Sequence, residues 1–477
     1  MKAVLIVALG RLLQMAAALL TLRLSTTLMS PGDVGQINQM VAVGTLFASG
    51  IILPLIVYFA RGLTGWVNAD MFRHRLRQVV LAIVVATAIL LPVGAGVQFA
   101  MHLVHGIALH WFAGLLALYL VGFSTYTLLL NCVAVLGQRV RSAAASNLAA
   151  WGGLGLATAL YLQFGDPWFW VLGLFAGYLM AAQTLWIVRP TAPAPASPSA
   201  AAPLSLAPRV VWAFVWPQVI MFALWWTQSQ SYRFVLAEVS GVAAVGLFFA
   251  AYALISVPMQ AFESAFNEVY SPTLYRNFES GAADARTRAW NRYASAYMPS
   301  IVVFSCCLAG CAPHFARLAL GPAFQVTAFF FVWPAIAEMA RALSSANHTL
   351  GVANVDMRLL LPPAAVGAIA APGLIWGCAP GSPLMGTGLA VCVAGLAVLA
   401  STYLMTRLAA PVRWPWGRMA AALCLGLPMI VGGFWAASAI PPTATFALLV
   451  CLLLGAYAIG ALAWLARDWL PELRRAR

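Results

Sequence analysis

Apolar stretches of about twenty residues, the length needed to cross a bilayer as a helix, recur from one end of this chain to the other. In hydrocarbon each must be helical, because every backbone N–H and C=O needs a partner within its own segment. Alternating ten-residue segments, the mark of a transmembrane barrel, are not visible. The pattern predicts spans at residues 4–28, 37–60, 78–101, 109–136, 143–163, 169–188 and 210–236. It continues with spans at 243–267, 293–312, 325–347, 359–377, 386–406, 419–438 and 444–466. Pro362, Pro363 and Pro372 crowd the eleventh. The expected fold is an all-α polytopic membrane protein with two pseudo-symmetric six-helix lobes plus two C-terminal helices.

Composition agrees with lipid as the solvent: 63% of the 477 residues are hydrophobic and 8% are charged, against about 25% charged in soluble domains. The formal charge of +14 would suggest nucleic acid in a soluble chain. Here the positive residues sit in short loops, where they act as orientation signals. With the N-terminus inside, the cytoplasmic segments hold Arg61, Arg73, Arg75 and Arg77, then Arg139 and Arg141, then Arg189 and Arg209. They continue with Arg276, Arg286, Arg288 and Arg292, then Arg358, then Arg407, Arg413 and Arg418, and end with Arg467, Arg474, Arg475 and Arg477. Arg317 is the clear exception. The bias predicts a multi-pass membrane protein with both termini cytoplasmic. Lys2 and its apolar run resemble a signal peptide, but Arg11 interrupts the run and no cleavage site follows, so it reads as a retained first helix. Trp66, Trp111, Trp168, Trp414 and Trp416 near span ends form the expected interfacial belt. The eight cysteines lack zinc-type spacing and read as small hydrophobes.

Pro190 to Pro208 reads PTAPAPASPSAAAPLSLAP, a linker composition that divides the chain. The expected organisation is a lobe at 1–189, a cytoplasmic linker at 190–209, a second lobe at 210–406, and two further helices with a basic tail at 407–477. An internal repeat supports the division. Arg23 is followed seven residues later by Ser30 and then by Val34-Gly35, and Arg233 by Ser240 and then by Val245-Gly246. Both copies leave the cytoplasm in the same direction, so the repeat is parallel.

Several of these segments carry a family resemblance. Ser30-Pro-Gly-Asp-Val-Gly35 after the first span resembles the turn of polysaccharide transporters. So do Arg233-Phe234 with Val245-Gly-Leu-Phe-Phe-Ala-Ala-Tyr252, Tyr270-Ser-Pro-Thr-Leu-Tyr275, and Leu318-Ala-Leu-Gly-Pro-Ala-Phe324. Together they are similar to the multidrug/oligosaccharidyl-lipid/polysaccharide (MOP) flippase superfamily, in its polysaccharide transporter or O-antigen flippase branch, over roughly residues 4–350. The resemblance implies two six-helix lobes around a central cavity, alternating access, and an undecaprenyl-pyrophosphate-linked oligosaccharide as cargo. It implies no enzyme activity, no cofactor and no nucleic-acid partner. Implied partners are the lipid-linked glycan, membrane lipid, and a glycan polymerase with a chain-length protein.

Polar groups at bilayer depth are costly unless paired or wetted, which makes them functional candidates. Arg11, Arg23, Arg233 and Arg341 fall in spans, and a guanidinium suits a pyrophosphate because it stays charged and offers a planar fork of donors. Arg11, with Gln14 one turn on, either faces the cavity or snorkels. Snorkelling is equally open to Arg23 and Arg233. The seventh span adds Gln218, Trp225, Trp226, Gln228 and Gln230, amides and indoles suited to sugar hydroxyls and C–H faces. Pro217 is placed to kink it. Ser256, Gln260, Glu263 and Asn267 share one face of the eighth span, lining a cavity or joining helices through hydrogen bonds. Glu338 and Arg341 stand at ion-pair spacing on the tenth. That pair is either structural, or Glu338 takes a proton or sodium ion and frees Arg341 for phosphate. The first six spans hold no evident acid, Asp33, Asp70 and Asp166 falling in loops, so Glu263 and Glu338 are the coupling-ion candidates.

Enzyme signatures such as H-E-x-x-H, a Walker A loop or G-x-S-x-G do not occur in the sequence. Rival readings are a cation-coupled multidrug exporter of the same superfamily, a lipid II flippase, and, from another class, a membrane glycan polymerase or acyltransferase.

Overall fold

The computed structural model describes residues 2–68, 71–187, 207–279, 283–353, 360–409, 411–439 and 443–467. They form fourteen helices. α1 is Lys2–Leu28; α2 joins Pro31–Phe47, a π-helical turn Ala48–Ile52 and Leu53–Asn68; α3 is Phe72–Met101, α4 Leu109–Val135, α5 Arg139–Phe164 and α6 Pro167–Ile187. α7 joins Pro208–Gln230 and Tyr232–Ser240; α8 is Val242–Glu279, α9 Ala283–Ala319 and α10 Val332–Ala353. α11 is Leu361–Cys378, α12 Pro383–Ala409, α13 Trp416–Ala439 and α14 Ala444–Ala466. Eleven helical stretches among the described residues are long and apolar enough to cross a membrane, all but α1, α5 and α10. The fold is an all-helical, multi-span membrane fold. Its lipid-ready surface is plain on α3, where Leu81, Val85, Ile89 and Val93 are exposed, and on α14, where Leu448, Leu452 and Ile459 are. The linker at 190–206, Asp70, Arg189, Arg358 and the basic tail from residue 468 lie outside the described residues.

Boundaries depart from the apolar pattern where polar residues begin or extend a helix. α2 opens at Pro31 instead of residue 37. Proline fits a first helical position because the N–H it lacks would be unpaired there, and Asp33 in the first turn complements the dipole. The segment expected as a turn with Asp33 in a loop is therefore a helix start. α8 continues past residue 267 to Glu279, so Tyr270–Tyr275 is helical, beyond the apolar window that closes at Asn267. α10 begins at Val332, not 325, because the chain after Gly321 first makes 3-10 turns at Pro322–Phe324 and Ala328–Phe331. Helix α7 runs on through Pro217, and its irregularity falls at Ser231, whose backbone stays helical at φ −58 and ψ −28.

The chain forms two compact units: Met1–Thr21 with Gly32–Trp226, and Leu22–Pro31 with Thr227–Arg477. In the first, α5 and α6 meet along small residues. A Cβ placed on Gly173 would lie 2.3 Å from the Ala157 nitrogen, and one on Gly177 2.6 Å from the Ala149 oxygen. Gly173 and Gly177 form a G-x-x-x-G stripe against Ala149, Gly153 and Ala157, the close backbone approach that packs helices without a hydrophobic driving force. In the second unit, a Cβ on Gly310 of α9 would lie 2.3 Å from the Met429 oxygen of α13. Its aromatic core gathers Trp290, Tyr293 and Tyr297 of α9 with Trp414.

Candidate functional site

The second unit holds a buried charged cluster assembled from α8 and α10. Arg341 donates from Nε to Glu338 at 2.7 Å and from a terminal nitrogen to Glu263 at 2.9 Å. Glu338 is 2% exposed and Glu263 8%, while the Arg341 side chain keeps 31% of its surface accessible. The Tyr252 hydroxyl donates to the other Glu338 oxygen at 2.6 Å. Tyr252 and Glu263 are eleven residues apart on α8, which returns them to one face about 16 Å apart along the axis at 1.5 Å per residue. The i, i+3 pair on α10 bridges that span. Two carboxylates against one guanidinium leave one surplus negative charge when all three are ionised. In a low-dielectric interior such a surplus is costly, and a proton or a small cation removes it.

Arg233 connects to this cluster through aromatic rings. It is buried, its Nε donates to the Tyr232 hydroxyl at 3.1 Å, and its guanidinium stands 5.4 Å from the ring centroids of both Tyr232 and Phe249. Tyr232 packs on Phe248 at 5.1 Å and on Tyr252 at 6.4 Å, so an aromatic chain leads from Arg233 to the acid pair. A cation over ring faces is attracted by their quadrupoles, most strongly where water is excluded.

The other residues singled out in the sequence are placed individually. Arg11 is exposed and donates to Gln14 at 3.1 Å on its own helix, in a stretch held to α5 by Asn147 donating to the Gly10 carbonyl at 3.2 Å. Arg23 is half-buried and donates to the Leu320 carbonyl at the end of α9. Beside it the Gly321 amide donates to the Thr26 hydroxyl at 3.0 Å. The Arg23 and Leu318–Phe324 motifs thus meet each other in the second unit. Gln218 is buried and donates to the Phe214 carbonyl at 3.4 Å, next to the gap that Pro217 leaves in the helix ladder. Trp225 is exposed, and Trp226 donates to the Ala42 carbonyl at 2.9 Å. Gln228 packs on Gly367, and Gln230 donates to Ser229 at 3.3 Å. Gln260 is exposed although its face-mates Ser256 and Glu263 are buried, and Asn267 accepts from Tyr293 at 2.8 Å. The sequence reading paired Glu338 with Arg341 but missed Glu263 and Tyr252 as members of the same network. The one available signal was the three-turn spacing of Tyr252 and Glu263.

No protein-family model matches the sequence, and no curated protein matches it. Solved structures do. The lipid II flippase MurJ in an inward closed conformation superposes with a TM-score of 0.66 at 11% identity, over 98% of this chain and 100% of that one. The chain has the fold of this flippase. An inward-facing multidrug resistance MATE family transporter of the MOP superfamily gives a TM-score of 0.62 at 12% identity, over 87% of this chain and 98% of that one. The outward-facing form gives 0.61 at 12%, over 88% and 96%. Within this fold the buried acids Glu263 and Glu338 sit on α8 and α10.

Proposed function

We propose that this protein is a flippase that moves an undecaprenyl-pyrophosphate-linked oligosaccharide, an O-antigen or exopolysaccharide repeat unit, across the bacterial inner membrane by alternating access. The observation that carries the reading is the fold likeness to a lipid II flippase over 98% of the chain, which leaves neither of the last two helices out. The drug-transporter matches cover 87% and 88%. Charge supports the same class of cargo. In the first unit Arg11 lies well inside α1, the other described arginines of its helices lie near helix ends, and the acids described there are Asp33, at the first turn of α2, and Asp166, in the loop before α6. A pyrophosphate needs cationic donors, whereas a cationic drug needs acids. Arg11, Arg233 and Arg341 are the arginines proposed to meet the headgroup, and Trp225 and the α7 amides the glycan. Glu263 and Glu338 are proposed to take the coupling proton or sodium ion, which weakens their hold on Arg341.

The test is a deletion strain. It is expected to accumulate the lipid-linked repeat unit on the cytoplasmic leaflet and to lose the surface polymer; a strain that stops making the unit overturns the assignment. The MurJ likeness also favours a second reading, a lipid II flippase. An essential gene whose depletion halts cell-wall synthesis, and whose product replaces a lipid II flippase in trans, would establish that reading instead.

A further inference from the structure

A cavity of about 280 Å³ lies within the first unit, at the end of α3 where it begins and where α4 and α6 finish. Its polar side is Arg73 and Arg77, and its apolar walls include Leu76, Leu129, Leu185 and Trp186. Three observations make the polar side a place for an anion. The two arginines are four residues apart on one helix face, where like charges repel. Neither makes an ion pair among the described residues, and no carboxylate lines the cavity. The α3 N-terminus beside them has Met71 at its cap position and no side-chain cap, so its first N–H groups keep their positive field.

The remaining walls argue against a purely aqueous anion. Leu129 and Leu185 offer hydrocarbon, and Trp186 is 47% exposed at the rim, as interfacial tryptophans are. The volume is just below the roughly 300–1,000 Å³ of small-molecule pockets, enough for a headgroup with its chains outside. The arginine bias assigns this end of the helices to the cytoplasmic leaflet, whose anionic lipids attract basic pockets between helices.

We propose that this cavity binds an anionic phospholipid of the bilayer, with its phosphate between Arg73 and Arg77 and its acyl chains along Leu129, Leu185 and Trp186. The site is separate from the charged cluster of α8 and α10 and does not depend on the cargo.

The experiment is native mass spectrometry of the full-length protein in micelles carrying phosphatidylglycerol or phosphatidylcholine of identical chains. The wild type is expected to retain phosphatidylglycerol about thirtyfold better, the discrimination two interfacial arginines supply. Arg73→Gln with Arg77→Gln is expected to erase that preference, while Arg139→Gln with Arg141→Gln, outside the cavity, leaves it. Equal retention of the two lipids by the wild type overturns the proposal without needing any variant. So does a loss of preference equally large in the Arg139/Arg141 variant, or displacement of the lipid by inorganic phosphate.

Discussion

Arg341 stands between two acids, one three residues away on its own helix and one 78 residues away on another. Replacing it with alanine leaves two buried carboxylates unpaired, and breaking a buried pair in this way costs about 3–5 kcal/mol. Arg341→Ala is therefore expected to lower the thermal unfolding midpoint in detergent markedly. Arg341→Met combined with Glu263→Gln and Glu338→Gln should recover most of the loss, because no charge is then stranded. A single variant that melts with the wild type refutes the network. Arg23 and Thr26 allow a finer test. Thr26→Ala removes the acceptor of the Gly321 N–H, a net loss of about 0.5–1.5 kcal/mol for one hydrogen bond. Hydrogen exchange at Gly321 should speed up while exchange in α5 and α6 stays unchanged.

Among the elements, α5 and α6 depend on glycine for a close approach. Gly173→Leu would force a side chain into the Ala157 backbone, where even a Cβ lies 2.3 Å away. The folded yield is expected to collapse in size-exclusion chromatography. Gly155→Ala on α5, with nothing within 4 Å of its Cβ, is expected to be neutral or to stabilise by up to about 1 kcal/mol, since alanine loses less backbone freedom. Helix positions were legible in the sequence because hydrocarbon requires an unbroken apolar run: the span predicted at 444–466 matches α14, and that at 109–136 matches α4 to a residue. Their ends were less so, because α8 and α9 carry polar turns beyond the apolar window. The site was half legible. Glu338 and Arg341 share one helix, so their spacing alone brings them together. Glu263 joins them because α8 packs against α10, and which helices touch is not encoded in local periodicity.

For the whole molecule, the proposed coupling predicts a transport phenotype distinct from a folding one. In proteoliposomes carrying a lipid-linked glycan, Glu338→Gln should preserve cargo binding and abolish any dependence of flipping on a proton or sodium gradient. A variant that flips with the full gradient dependence removes Glu338 from the coupling role. Drug-resistance profiling of a knockout separates the exporter reading, which alone expects hypersensitivity.

α1 is a continuous helix whose residues up to Thr21 belong to the first unit and whose residues from Leu22 belong to the second. If the protein is expressed as two polypeptides parted between residues 190 and 206, the downstream fragment is born without Arg23 and Thr26. Its Leu320 carbonyl and Gly321 amide then lack the partners they have in the intact chain. The upstream fragment should therefore act in trans as a folding subunit for the downstream one, and co-translation of both should rescue a half that is degraded when made alone.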